Sequence, residues 1–193
     1  MDIKRTAALL CSALMLCMGS TACSQQADKQ ESSSSAVSDT FSYVFDFSDF
    51  KEFELSSSDL HDGVWDTVIT TTANGSNRSP QLSWAPVEGA GCYAIFMVDT
   101  TAGNWLHWKS VSESETELPA GWAPENEYKG PYPPSGTHNY EVYVFALKQA
   151  PERIKGGFDA SNEKMYDFMK ELDGDSGNII SYGHILGTYT YGD

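Results

Sequence analysis

Apolar positions along this chain fall mostly at strand spacing. Residues 92–98 (CYAIFMV) are continuously apolar, which predicts a strand buried on both faces. Residues 140–147 (YEVYVFAL) are rich in β-branched and aromatic side chains and predict the strongest strand of the chain. Residues 105–112 alternate between apolar and polar. Residues 50–55 are short, aromatic and partly alternating, residues 64–72 are β-branched, and residues 184–191 predict a last strand. Asn74-Gly75 marks a turn. Helical spacing occurs clearly once, over 161–172. There Met165, Phe168, Met169 and Leu172 form an apolar stripe, Ser161 is placed to cap the start, and Gly174 follows the end. The pattern predicts a mainly β protein, a β-sandwich of antiparallel sheets with one or two short peripheral helices.

The first forty residues do not belong to that pattern. Lys4 and Arg5 precede an uncharged apolar run over 7–18, followed by Gly19-Ser20-Thr21-Ala22 and then Cys23. The run is too short for a hydrocarbon layer of roughly 30 Å and has the layout of a signal peptide over 1–22. Small residues directly before Cys23 resemble the lipobox of bacterial lipoproteins, with Ser20 departing from the usual leucine. The resemblance implies export, acylation of the Cys23 thiol and anchoring to the outer face of the bacterial cell membrane. Without acylation, the same leader predicts a secreted protein. Residues 23–40 are polar and Ser-rich and read as a tether with a reach of about 20–25 Å. The working domain is then 41–193, an ordinary single-domain length.

Charge and cysteine content narrow the function. Lys4, Arg5 and Asp2 leave with the leader, so 12 basic and 27 acidic residues become 10 and 26, a net charge of −16. Such a surface repels nucleic acid and anionic headgroups at long range. Cys11 and Cys17 also leave with the leader and Cys23 carries lipid. Cys92 remains alone, as a buried small hydrophobe with no disulfide to make.

Four histidines lie in the domain. His61, in a polar segment, reads as a solvated surface residue, and His184 lies in the last predicted strand. His107 lies in Asn104-Trp105-Leu106-His107-Trp108, beyond the buried strand that ends at Asp99. A turn at Ala102-Gly103 brings Asp99 and His107 to the same sheet end, where a carboxylate fixes an imidazole tautomer. His138 follows the Pro- and Gly-rich stretch from Gly130-Pro131 to Thr137 and begins the strongest strand, a preorganised position for a ligand contact. Taken singly, each is more often structural than functional. An Asp–His pair could serve as general acid and base, and Asp99, His107 and His138 could on ligand type hold a metal. No G-x-S-x-G, H-E-x-x-H or P-loop is present to support a hydrolase, and no cofactor motif appears.

Four segments, in this order, carry a family resemblance: Ser79-Pro80-Gln81-Leu82-Ser83-Trp84, Val98-Asp99 through His107-Trp108, GPYPPSGTHNY over 130–140, and His184-Ile185-Leu186-Gly187-Thr188-Tyr189. Over nearly all of 50–190 the chain resembles the phosphatidylethanolamine-binding protein family, in its bacterial Raf-kinase-inhibitor-like branch. The resemblance implies a Greek-key β-sandwich with a small non-metal pocket for phosphate-like anions, including a phospholipid headgroup. It assigns that pocket to Asp99, His107, Gly130, Pro131, His138 and Tyr140, with Asp99 orienting an imidazole. The histidines, the Tyr140 hydroxyl and backbone N–H groups near Gly130 would meet the ligand. Relatives that inhibit other proteins leave an extracytoplasmic protein partner as a second expectation. The family's Asp-Pro-Asp-Ala-Pro stands here as Asp99-Thr100-Thr101-Ala102-Gly103, and its His-Arg-Tyr as His138-Asn139-Tyr140. A looser loop, a less acidic pocket and a lost cation are therefore expected.

Overall fold

The computed structural model describes residues 45–192. The expected leader, tether and Cys23 lie outside the described residues. In chain order the strands are β1 (Lys51–Phe53), β2 (Leu55–Ser56), β3 (Leu60–His61), β4 (Val64–Trp65), β5 (Leu82–Trp84), β6 (Cys92–Asp99), β7 (Trp105–Ser112), β8 (Glu117–Leu118), β9 (Thr137–Leu147) and β10 (Ile179–Thr190). One α-helix, α1 (Met165–Lys170), precedes β10, and a 3-10 turn covers Thr67–Ile69. Among the described residues no helix is long and apolar enough to cross a membrane.

Two sheets face each other. The larger runs β3-β4-β10-β9-β6-β7 with β1 beside β10, and the smaller runs β2-β5-β8. The expected mainly β class and two-sheet arrangement hold. The larger sheet is mixed rather than purely antiparallel, because β1 and β4 both run parallel to β10. The three long central strands divide their side chains between two cores. Tyr93, Ile95, Met97, Tyr140, Val142 and Val144 pack with Leu82, Trp84 and Leu118 of the small sheet. On the opposite face Ala94, Phe96, Val98, Tyr143 and Phe145 pack under Met165 and Met169 of α1 and under Phe47. Burial on both faces is why β6 reads as an unbroken apolar run.

Three predicted elements fold differently. The 50–55 stretch breaks at Glu54 into β1 of the larger sheet and β2 of the smaller. The β-branched 64–72 run forms a strand only at Val64–Trp65 and then turns. Thr70 explains this. Its hydroxyl donates to Thr67 O at 2.7 Å and accepts the Thr72 N–H, so a side chain takes bonds that a ladder would have used. The helix is also shorter than 161–172. Ser161 does not cap it, because its hydroxyl donates to Gly103 O at 2.6 Å. Asn162 binds Gly157 and Ala160 instead, holding 157–162 as a rigid loop. The stop also comes earlier than expected: Glu171 closes the helix, and Gly174, at φ +55°, turns the chain beyond it.

Candidate functional site

The pocket begins at the end of β6. Side chains alternate along a strand, so Asp99 faces the same side as Tyr93, Ile95 and Met97. It lies opposite Tyr140 of β9 in register, and His138 is two residues before Tyr140 on the same face. Asp99 is 3% exposed, yet its carboxylate is fully engaged. Oδ1 accepts the Thr101 and Ala102 N–H groups at 2.9 and 3.0 Å, and Oδ2 accepts His138 Nδ1–H at 2.6 Å. The expected carboxylate–imidazole contact therefore exists, and its imidazole is His138.

His107 reaches the site through a bulge. Met97 pairs with Trp108 and Val98 with Leu106, so His107 is an extra residue in β7. Leu106 packs on the helix side and Trp108 on the small-sheet side. The bulge places His107 beside Tyr140 at a 5.3 Å ring separation, and His138 is 6.3 Å from the same tyrosine ring. His107 Nδ1 donates to Lys129 O at 2.6 Å. Burial pushes the His107 pKa below its ordinary value. The Lys129 carbonyl and the Asp99 and Asp159 charges oppose that shift, and the nearby His138 reinforces it.

Together these residues line a cavity of about 690 Å³, with Thr71, Ala102, Trp105, Lys129, Gly130, Tyr132, Pro134 and Asp159 completing the wall. Two other clefts, of about 390 and 600 Å³, adjoin Arg153 and Lys155 and contain no histidine. Among the described residues no group of three or more His, Cys, Asp or Glu side chains is placed to hold a metal.

The expected donors need correction at two points. The Gly130 N–H is already spent on Asn77 Oδ1 at 2.8 Å, and the Lys129 N–H on His107 O at 2.7 Å. Gly130 serves by its lack of a side chain, since a Cβ there would stand 2.1 Å from Ile69 O. Pro131 is buried behind the wall, where its carbonyl accepts the Thr71 N–H at 3.1 Å. Tyr140 contributes its ring, but the residue is 0% exposed. Its hydroxyl is inaccessible and lies near the Asp99 carboxylate. Burial, and then the nearby Asp99 charge, push that hydroxyl's pKa far above the usual tyrosine range.

The departures from the family pattern have a different effect from the one expected. The 99–102 turn is not loose: Thr101 Oγ1 accepts the Asn139 N–H at 3.0 Å, and Thr100 Oγ1 donates to Glu141 at 3.0 Å. Nor is the pocket less acidic, because Asp159 adds a second carboxylate. The 157–162 loop docks along the β7 edge through Leu106 and Trp105. There Asp159 takes φ +53° and accepts Trp105 Nε1–H at 3.2 Å. No local signal in the sequence marks Asp159, whereas Trp105 and Tyr132 lie inside the quoted segments. Asn139 faces away from the pocket by strand alternation, and the cation present is Lys129, exposed at the rim.

The other histidines lie elsewhere. His61 is exposed, 3.5 Å from Asp66. His184 stands on the opposite face of the sheet, stacked on Tyr143 at 4.5 Å and bonded to Glu141 at 2.8 Å.

Comparison with known proteins places the fold among relatives. The family model for phosphatidylethanolamine-binding protein matches residues 56–189. A UPF0098 protein of Methanothermobacter thermautotrophicus is 30% identical over 142 residues, which cover 63% of this chain and 88% of that protein. The crystal structure of Escherichia coli YbcL, described as a new member of the mammalian PEBP family, matches with a TM-score of 0.56 at 24% identity. It covers 72% of this chain and 98% of its own. A putative PEBP homologue of Chlamydia trachomatis matches with a TM-score of 0.55 at 21% identity, over 72% of this chain and 97% of its own. At these identities the two structures speak for the fold.

Proposed function

The chain belongs to the phosphatidylethanolamine-binding protein family, and on that premise we propose that its histidine cavity binds a phosphate-like anion, such as a phospholipid headgroup, without catalysis. One observation carries this reading. Two imidazoles, each tied back at Nδ1, adjoin Tyr140 in a cavity roomy enough for a phosphomonoester, with the Lys129 cation at its mouth. The ligand is held by local groups against an acidic surface, so affinity is modest. The nearby hydroxyls give no support for a nucleophile. Thr71 Oγ1 is directed at Gly130 O at 3.4 Å and Thr101 Oγ1 accepts a backbone N–H, and no hydrogen bond joins either to an imidazole.

The test is an NMR titration of the histidine rings with inorganic phosphate and with phosphoethanolamine. His107 and His138 signals should move at millimolar ligand while His61 stays still; unmoved pocket signals would refute the reading. The Cys23 context supports a lipid-anchored protein outside the cell membrane, holding this pocket within a short reach of headgroups. Membrane fractionation of the Cys23→Ala protein tests that part, and continued membrane retention would count against it.

A further inference from the structure

The hydrogens on the pocket histidines are fixed by their partners. Lys129 O can only accept, so His107 Nδ1 carries a hydrogen. The Asp99 carboxylate imposes the same on His138 Nδ1. In the uncharged ring the other nitrogen, Nε2, is then a bare lone pair, and no hydrogen bond engages either Nε2 among the described residues. The charged groups facing these rings are Asp99 behind His138, Asp159 on the far wall and Lys129 at the mouth. Tyr140, next to both rings, keeps its proton. Burial favours the uncharged form of His107. An oxyanion without a proton therefore meets two lone pairs, with the Asp159 carboxylate on the same cavity wall. An oxyanion carrying its own hydroxyl can donate to Nε2.

We infer that the two fixed tautomers make this cavity select a phosphate group bearing a P–OH proton over a fully deprotonated oxyanion of the same shape, such as sulfate. The inference rests on the anion-binding reading above. The proton balance is simple: one P–OH hydrogen points at Nε2, so hydrogen phosphate, which already carries it, takes up no proton, whereas a phosphomonoester dianion takes up one from solvent as it binds. A phosphomonoester, with its second pKa near about 6, can do this close to neutral pH. Sulfate cannot.

Asp99 is the positioning residue for this selectivity, and its geometry supplies the test. In Asp99→Asn the Thr101 and Ala102 N–H groups hold the amide oxygen where Oδ1 now lies. The amide NH2 then faces His138 Nδ1, which must accept, so the ring hydrogen moves to Nε2 and faces the ligand as a donor. Calorimetric titration of the full chain at about pH 8, with inorganic phosphate and with sulfate, reads the consequence. The unsubstituted protein should prefer phosphate by at least about tenfold, the size of one charge-assisted hydrogen bond. A parallel titration with phosphoethanolamine in buffers of different ionisation enthalpy should report uptake of one proton, since its dianion has no P–OH. Asp99→Asn should bring the ratio below about threefold, mainly by gaining sulfate, since one acceptor has become a donor. Equal binding of the two anions by the unsubstituted protein, or an unchanged ratio in a folded Asp99→Asn, overturns the inference and leaves the anion site standing. Binding of neither anion overturns the anion-binding reading itself. Should Asp99→Asn not fold, ¹⁵N shifts of the unsubstituted rings decide: a protonated Nδ1 and bare Nε2 support the inference, and the reverse tautomer overturns it.

Discussion

Glu141 is partly buried on the face of β9 opposite the pocket and holds three partners. It accepts Thr100 Oγ1 at 3.0 Å, the Tyr143 hydroxyl at 2.6 Å and His184 Nε2 at 2.8 Å. Glu141→Ala removes the carboxylate that accepts all three bonds at once. Tyr143 and Thr100 are 2% and 3% exposed, so their hydroxyls cannot turn to water. His184 is half-buried and can. Two stranded buried donors, at about 1–3 kcal/mol each, give a loss of about 2–6 kcal/mol. For a domain of this length that is a fall in Tm of about 5–15 °C. Glu141→Gln keeps one acceptor oxygen and should lose about 1–2 kcal/mol.

The pH dependence has a definite sign. Burial alone would raise the Glu141 pKa, but the bonds from His184, Tyr143 and Thr100 outweigh it and hold the carboxyl below its ordinary value. A carboxylate with a depressed folded-state pKa contributes stability that is present above the unfolded value of about 4.3. That stability is lost as pH falls through the folded one. The gap between the unsubstituted protein and Glu141→Gln should therefore narrow on acidification from about pH 5 to about pH 3. Urea denaturation followed by tryptophan fluorescence across that range measures both effects. A Glu141→Ala protein within about 0.5 kcal/mol of the original, or a gap that widens in acid, would refute the reasoning.

Two further outcomes follow from the pocket wall. Gly130→Ala puts a methyl 2.1 Å from Ile69 O, so the 69–71 segment must shift. It should cost about 1–3 kcal/mol in denaturant melts and weaken phosphate binding, because the displaced segment carries Thr71 on the cavity wall. His107, its charged form disfavoured by burial, should titrate below free histidine in ring NMR. It therefore favours folding fully above the unfolded pKa of about 6.5, and that contribution is lost as pH falls below it. A His107 ring titrating at or above the free value contradicts the burial argument.

Much of the fold was legible because it rests on local pattern. Residues of β6 and β9 are apolar on both faces, and no arrangement but a covered central strand suits them. The motif around His138 placed that residue at a strand start, and Asp99 at a strand end, before any coordinates. Residues 64–72 misled, because β-branching favours a strand only until a threonine hydroxyl captures the neighbouring backbone.

The sequence by itself determined the two-sheet class, the central strands, and the residue types at the pocket: a carboxylate, two imidazoles and a glycine at a crowded corner. Tertiary structure decided which imidazole Asp99 holds and that a bulge turns His107 onto the pocket face. It also spent the Gly130 N–H on Asn77 and left the Tyr140 hydroxyl buried. It brought Asp159 to the wall from a loop some fifty residues along the chain from Trp105, whose indole it accepts. The physical reason is one of range. Strand propensity and two-faced burial are set by a few neighbouring residues, whereas a ladder register, a bulge and a loop docked on a sheet edge exist only once distant segments have packed.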